Sequence, residues 1–270
     1  LPAGHRREKF KALQAIDLDG SGWQDCPAEG RAPFLPASIG AWNDYPALAD
    51  LFAYNGSGVM AGRTWVMAPD AESLHRRWAQ LVGAPAEDKE RLFHPHLNKG
   101  EPGDRHVRRS LSEPLPGFRT ATQPIGDERG DCEPPVAYAF RSFDRQWLIP
   151  DARLIIRPNP TLWGMRSDRQ VFLTAFADES PTDGPAATLS GFIPDLHHYK
   201  GSFGGRVFPL WADANASQSN LSPALLPLLE ASYGHAVSAE DVMAYIAAIT
   251  AQPAYIERFR QDLQTPGLRL

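Results

Sequence analysis

The chain has 270 residues, 43% of them hydrophobic, which is enough to bury one or two sizeable cores. No stretch reaches the roughly 20 apolar residues that a membrane span requires. A net charge of −5 and a pI of about 5.9 count against a non-specific nucleic-acid binder, because such proteins draw their affinity from phosphate neutralisation by excess basic residues.

The sequence opens Leu1-Pro-Ala-Gly-His5-Arg-Arg, with no initiating Met and no apolar core of a secretory signal, so it is expected to be a piece of a longer protein. Residues 5–16 place Phe10, Leu13 and Ile16 at helical spacing and predict a short helix. A Gly- and Pro-rich loop follows to about Ile39. Within it, Asp17-Leu-Asp19-Gly-Ser21-Gly22 looks like the start of a calcium loop. The twelfth position is Ala28 where a bidentate carboxylate is needed, and Pro27 and Pro33 break any exit helix, so a calcium site is disfavoured. Asp50–Tyr54 and Thr64–Ala68 read as short strands around Asn55-Gly-Ser-Gly-Val-Met-Ala-Gly62. A phosphate-cradling loop would run into a helix N-terminus. This stretch runs into Arg63-Thr-Trp-Val-Met67, and a plain hairpin connection is the favoured reading.

Asp70 is placed to cap a helix reaching Val82, with Leu74, Trp78, Leu81 and Val82 on its apolar face, and Ala86–Phe93 predicts another. Residues 94–135 have no period and read as a long loop or linker. From Val136 the pattern turns to β, with strands expected at Ala137–Arg141, Gln146–Ile149, Gln170–Ala175, Ala187–Phe192 and Arg206–Pro209, and with Pro158-Asn-Pro160 as a turn. Three helices close the chain. One has Ser222 at its N-cap and Pro223 at N1. The next has Ser238 at its N-cap and Asp241 at N3. The last runs from Pro253 to about Gln264.

Few residues support catalysis. Cys26 and Cys132 allow one disulfide or two free thiols, the second being favoured for a reducing cytoplasm, and two cysteines alone do not make a zinc site. His94, His96 and His106 could supply three metal ligands but match no zinc spacing. Glu133-Pro-Pro-Val136 has neither the side chain nor the aromatic of an adenine methyltransferase motif. No Gly-x-Ser-x-Gly elbow supports a hydrolase.

Arginine is the distinctive component, at 22 of 27 basic residues. Between Arg141 and Arg169 there are six arginines against three acids. Forked guanidinium donors suit phosphate and guanine, while a salt-bridged β surface would show the same composition. In Ala137–Trp163, Arg141 and Arg145 stand among aromatics, with Asp144 able to orient one of them. A second cluster, His197-His-Tyr-Lys200-Gly-Ser202-Phe-Gly-Gly-Arg206, combines stackable rings, cations and a glycine turn.

Five segments together carry a family resemblance: Phe140-Arg-Ser-Phe-Asp-Arg-Gln-Trp147, Arg157-Pro-Asn-Pro-Thr-Leu-Trp163, Ser167-Asp-Arg-Gln-Val171, Ile193 to Trp211, and Asp241 to Ile249 with Pro253-Ala-Tyr255. In this order they resemble the C-terminal target-recognition region of type ISP restriction–modification enzymes, a family of adenine-specific DNA methyltransferases. The resemblance implies that a nuclease, an ATP-driven translocase and an adenine-N6 methyltransferase precede this region. It also implies that S-adenosylmethionine, ATP and Mg are used there, with no cofactor or catalytic residue in this chain.

A mixed α/β (α+β) chain is expected. Its parts are a small α/β portion at 1–93 that could end a methyltransferase, a linker at 94–135, and a strand-rich recognition domain with a helical tail at 136–270. The expected role is sequence-specific reading of duplex DNA in the cytoplasm, alongside the methyltransferase and translocase domains and away from membranes. The expected DNA contacts are Arg141, Arg145, Arg157, Arg166, Arg169, His198, Lys200, Ser202 and Arg206. The alternatives are a protein–protein coupling module within the same enzyme and, ranked below it, a metal-dependent hydrolase on the loop histidines.

Overall fold

The structure, a computed structural model, describes residues 6–17, 19–20, 41–93, 107, 114–119, 121–176, 183–199 and 205–270. It divides into two units, Leu1–Asp44 and Tyr45–Leu270. The first contributes α1 (Arg6–Gln14), a helix with no buried residue, as the sparse apolar spacing of Phe10 and Leu13 allows.

The second unit holds, in chain order, β1 (Gly56–Ser57), β2 (Met67–Ala68), α2 (Ala71–Gly83), α3 (Ala86–Phe93), β3 (Val136–Arg141), β4 (Asp144–Leu148), α4 (Pro160–Gly164), β5 (Phe172–Phe176), β6 (Ala187–Ser190), β7 (Ile193–Pro194), β8 (Gly205–Pro209), α5 (Leu225–Tyr233), α6 (Ala239–Ala251) and α7 (Pro253–Arg258). The described residues thus form a mixed α/β chain of seven α-helices and two four-stranded sheets. One sheet has the order β1-β8-β5-β6 and is antiparallel throughout. The other has the order β2-β4-β3-β7, with β7 parallel to β3. Residues from both sides of the 94–135 stretch share these sheets, since Met67 pairs with Leu148 and Gly56 with Val207.

Local chemistry explains most boundaries. Asp70, in extended backbone, accepts from Ser73 N at 2.7 Å and starts α2 as its sequence signal predicted. Leu74, Trp78 and Leu81 of α2 then enter a core shared with Phe93, Tyr138, Leu148, Leu154, Ile155 and Leu162. Ser238 and Asp241 close a reciprocal capping box on α6. That helix buries Val242, Met243 and Ile246, and its Thr250 O receives Ala186 N at 2.8 Å just before β6.

Four local expectations are corrected. Thr64–Val66 is a 3-10 turn, with only Met67–Ala68 extended. The Arg77 guanidinium collects the carbonyls of Thr64, Trp65 and Met67 at 3.0, 3.1 and 2.8 Å, groups that a regular strand would give to a ladder. Of the strand expected at Asp50–Tyr54, Asp50 and Leu51 belong to a 3-10 turn (Leu48–Leu51), and Phe52 makes an isolated bridge to Leu221. That bridge draws Ser222 N to Leu51 O, so α5 begins later than predicted, at Leu225 after Ala224. Finally, Pro160 starts the short helix α4 where a turn alone was expected. Asn159 takes a left-handed φ of 47° and Pro160 falls at the first helical positions, where its missing N–H costs nothing.

One buried charge network fixes the scaffold. Arg153, with a side chain 0% exposed, donates to both Asp151 oxygens (2.6–3.1 Å), to Glu128 Oε2 at 3.0 Å and to Gln123 O at 3.0 Å. Burial works to raise the Glu128 carboxyl. The N–H groups of Gly130 and Arg129 and the Arg153 guanidinium outweigh it and hold the carboxyl below its ordinary value.

Candidate nucleic-acid interface

Glycine positions set the frame of the site. Gly58 lies against the backbone of Asp195, where a Cβ would come within 2.5 Å of the Asp195 carbonyl oxygen. This approach lets Val59 N donate to Pro194 O at 2.9 Å and Leu196 N to Val59 O at 2.7 Å. The 55–62 stretch therefore forms β1 and two bridges, Val59 with Asp195 and Met60 with Arg157, instead of the plain hairpin connection predicted.

Asp195 is the hub that this packing buries, at 5% exposure. The Tyr138 hydroxyl donates to its Oδ2 at 2.5 Å, with Val59 O at 3.0 Å as second acceptor. His197 N donates to Oδ1 at 2.8 Å. Arg141 Nη1 donates to the same Oδ1 at 2.8 Å and lies 3.8 Å from the Phe140 ring centroid. Burial, followed by the charge of Asp195, pushes the Tyr138 hydroxyl well above its ordinary value and keeps it a donor. Asp144, the acid expected to orient an arginine, faces Arg141 across the β3–β4 register yet accepts from Gln146 Nε2 at 2.6 Å.

Next to this hub is an open hollow of about 340 Å³. The β3–β4 hairpin (Arg141, Ser142, Phe143, Asp144, Arg145) forms one side, and the β6–β7 turn with Phe192 forms the other. The exposed Arg145 guanidinium lies 5.7 Å from the Phe192 ring centroid. His198 also lines the hollow but is buried, its Nδ1 2.9 Å from Thr174 Oγ1. Burial first, and then the Arg141 charge, push its imidazole down to about 4, so it stays neutral near neutrality.

The remaining predicted residues fall at two further places. Arg166 stacks 5.8 Å from Phe118, and Arg169 lies 5.7 Å from Trp211. Next to Arg169 in sequence, buried Gln170 donates to Met165 O and Trp211 O at 2.7 and 2.8 Å. Arg157 and Arg206 flank the glycine segment. Arg206 is the register partner of Ser57, whose carbonyl accepts from Asn159 Nδ2 at 2.5 Å. Arg145, Arg157, Arg166, Arg169 and Arg206 are all exposed and make no ion pair among the described residues. Lys200 and Ser202 lie outside the described residues, as do Cys26 and the histidines at 94, 96 and 106.

Asp195, Tyr138 and Gln170 hold this arrangement, and none was singled out from sequence. Asp195 was visible in the sequence as one member of the Ile193 to Trp211 segment. Among the described residues no group of three or more His, Cys, Asp or Glu is placed to hold a metal ion, and no helix is long and apolar enough to cross a membrane. Cys132 carries a free thiol that burial pushes up to about 12.

Comparison with known proteins places this geometry. The family profile of the Type ISP C-terminal specificity domain matches residues 50–270. Among solved structures, a DrdV–DNA complex determined by cryo-EM is similar with a TM-score of 0.58 and 17% identity over 98% of this chain and 27% of that one. The type ISP restriction–modification enzyme LlaGI, as a nuclease-deletion mutant with a DNA substrate mimic, is similar at 0.54 and 14% over 98% and 21%. The ATP-dependent type ISP enzyme LlaBIII bound to DNA is similar at 0.57 and 13% over 91% and 16%. These likenesses show a shared fold, and the chain spans little more than a quarter, or less, of each matched chain. No curated protein matches the sequence significantly.

Proposed function

The chain belongs to the Type ISP C-terminal specificity domain family, and on that premise we propose that it reads a short sequence in duplex DNA and holds it for an adenine-N6 methyltransferase elsewhere in the same polypeptide. Its partners in this reading are duplex DNA and the methyltransferase and translocase domains. S-adenosylmethionine, ATP and Mg serve those other domains, and this chain performs no catalysis.

The observation that carries the reading is the set of exposed arginines with no carboxylate partner among the described residues, three of them beside aromatic rings. A guanidinium held against a ring keeps its fork free for phosphate oxygens or a guanine edge and loses less freedom on binding. Arg145, Arg157, Arg166, Arg169 and Arg206 are the proposed direct contacts, with Lys200 and Ser202 as further ones. Arg141 contributes its exposed part, and buried His198 supports the floor of the hollow.

Selection from a randomised duplex pool, followed by a salt titration, tests this. A specific reader enriches one site and loses affinity for it as salt rises. A pool that stays random with the full-length protein overturns the reading.

The coupling alternative has one observation in its favour. An apolar groove of about 490 Å³ runs between α5 and α6, lined by Leu225, Leu229, Tyr233, Val242, Tyr245 and Ile246. Its occupant in this reading is a preceding domain of the same polypeptide. Tyr245→Glu would then impair methylation and translocation together while leaving the enriched site unchanged.

A further inference from the structure

We propose that Phe143, at the tip of the β3–β4 hairpin, is a wedge that inserts at a base step of the bound duplex and unstacks it. This rests on the DNA-reading function proposed above and adds a mode of reading to it.

Three observations lead there. Phe143 is 100% exposed, and Leu189 at 43% and Phe192 at 39% continue the apolar surface across the hollow. Isolated surface apolar residues are common, but a contiguous group on a projecting tip gains nothing from folding and marks a contact surface. The tip is also stiff. Arg141 and Asp144 are register partners, leaving only Ser142 and Phe143 to turn the chain. Neither has a positive φ, so the turn is not of the mirror type that suits strand twist. The irregular register between Ala139 and Arg141 supplies the extra twist as a bulge. Ser142 Oγ anchors one side of the turn by donating to His198 O at 3.1 Å, and Gln146 Nε2 braces the other through Asp144 at 2.6 Å.

The third observation is the neighbour. Arg145 stands exposed beside Phe192, where it can reach a phosphate flanking the step that Phe143 enters. Apolar side chains driven between base pairs unstack and kink the duplex, and pyrimidine–purine steps yield most easily. A ring on a rigid support loses little freedom in doing so. The expected occupant is therefore duplex DNA with a flexible step opposite the tip, so that the energy of deformation contributes to specificity.

The test uses the full-length protein and the duplex enriched from the randomised pool, with the fluorescent adenine analogue aminopurine placed at each position in turn. Binding should raise fluorescence at a step that depends on Phe143. Phe143→Ala should abolish that rise and weaken binding to the enriched duplex about ten-fold, the scale of one base–aromatic stack. Phe143→Trp should retain both, and neither variant should shift thermal unfolding. Enriched-site binding in which no responsive position depends on Phe143 overturns the wedge and leaves DNA recognition standing. Loss of methylation in Phe143→Ala with the fluorescence signal intact assigns the tip to a protein contact and also overturns it. If the wild-type protein enriches no sequence, the underlying reading itself fails.

Discussion

Arg153 and Arg145 come from one arginine-rich window and end in opposite surroundings. Arg153 is sealed from water, with both Asp151 oxygens, Glu128 and a carbonyl occupying its guanidinium. Arg145 is exposed at a hairpin tip with an aromatic ring as its neighbour. Arg141 stands between them, its side chain 31% exposed and one nitrogen committed to Asp195. A local surplus of positive charge is therefore a sum of different things. Part of it is scaffold, neutralised by buried carboxylates, and only the remainder is available to a partner. The two arginines should consequently fail in opposite ways when changed.

The largest effect is expected at Arg153. Arg153→Met fills much of the volume but leaves Glu128 and Asp151 buried without their cation. Breaking a buried pair in this way costs about 3–5 kcal/mol, read by urea unfolding, with DNA affinity per folded molecule unchanged. A loss below about 1 kcal/mol would erase the distinction between the two arginines. The acid side gives a second reading of the same network. The Glu128 carboxyl is held below its ordinary 4.5, so its stabilisation is complete above that pH and is lost as pH falls through the lowered native value. Glu128→Gln should remove that part of the acid slope.

His198 should give the next effect. Its imidazole ionises at about 4 in the fold against 6.5 ordinarily, so between those values the unfolded chain binds a proton that the native chain refuses. Stability should be full above pH 6.5 and fall by on the order of 3 kcal/mol toward pH 4. In His198→Gln the slope over that window should flatten. An unchanged slope would mean that the floor of the hollow is wetter than the packing around Thr174 implies.

Arg141 tests the middle of the comparison. Arg141→Ala strips one donor from buried Asp195, which keeps Tyr138 and the His197 N–H. A cost of about 1–3 kcal/mol follows from leaving part of a buried acceptor unsatisfied. Binding should weaken as well, because this arginine shares both environments. A change in stability with no change in binding would move Arg141 wholly to the scaffold side.

What was legible in the sequence follows the range of the interactions. Asp70 with Ser73 and Ser238 with Asp241 act within one helical turn, so their pattern survives in the sequence and both helix starts appear where expected. The strands from Val136 onward were readable because apolar residues alternate between turn residues. Thr64–Val66 was misread because its carbonyls are claimed by Arg77 from the next helix. The arginine positions at the hollow were visible, whereas the partner that orients Arg141 was not. Asp195 reaches it only because Gly58 lets two backbones approach and β7 lies parallel to β3, and neither fact has a short-range signature. The Glu128–Arg153 contact was hidden for the same reason, and it neutralises one of the six arginines counted in that window, one that was not among the expected DNA contacts.

The smallest effect on stability is expected at Arg145, and it bears most on function. Arg145→Ala removes an exposed side chain that no carboxylate among the described residues holds, so unfolding should shift by less than about 0.5 kcal/mol. Binding to the enriched duplex separates two roles. If Arg145 meets a phosphate, affinity falls alike for all sequences and the salt slope drops by about one. If it meets a guanine edge, about 1–3 kcal/mol of discrimination is lost at one base position while the salt slope holds. Its place beside Phe143 at a projecting tip favours the phosphate, since an inserted ring brings the flanking backbone toward the neighbouring cation. A loss confined to one base position would instead make Arg145 the reader and Phe143 its support. An unchanged affinity would remove this hairpin from the interface and shift the reading surface to Arg157 and Arg206 beside the glycine segment.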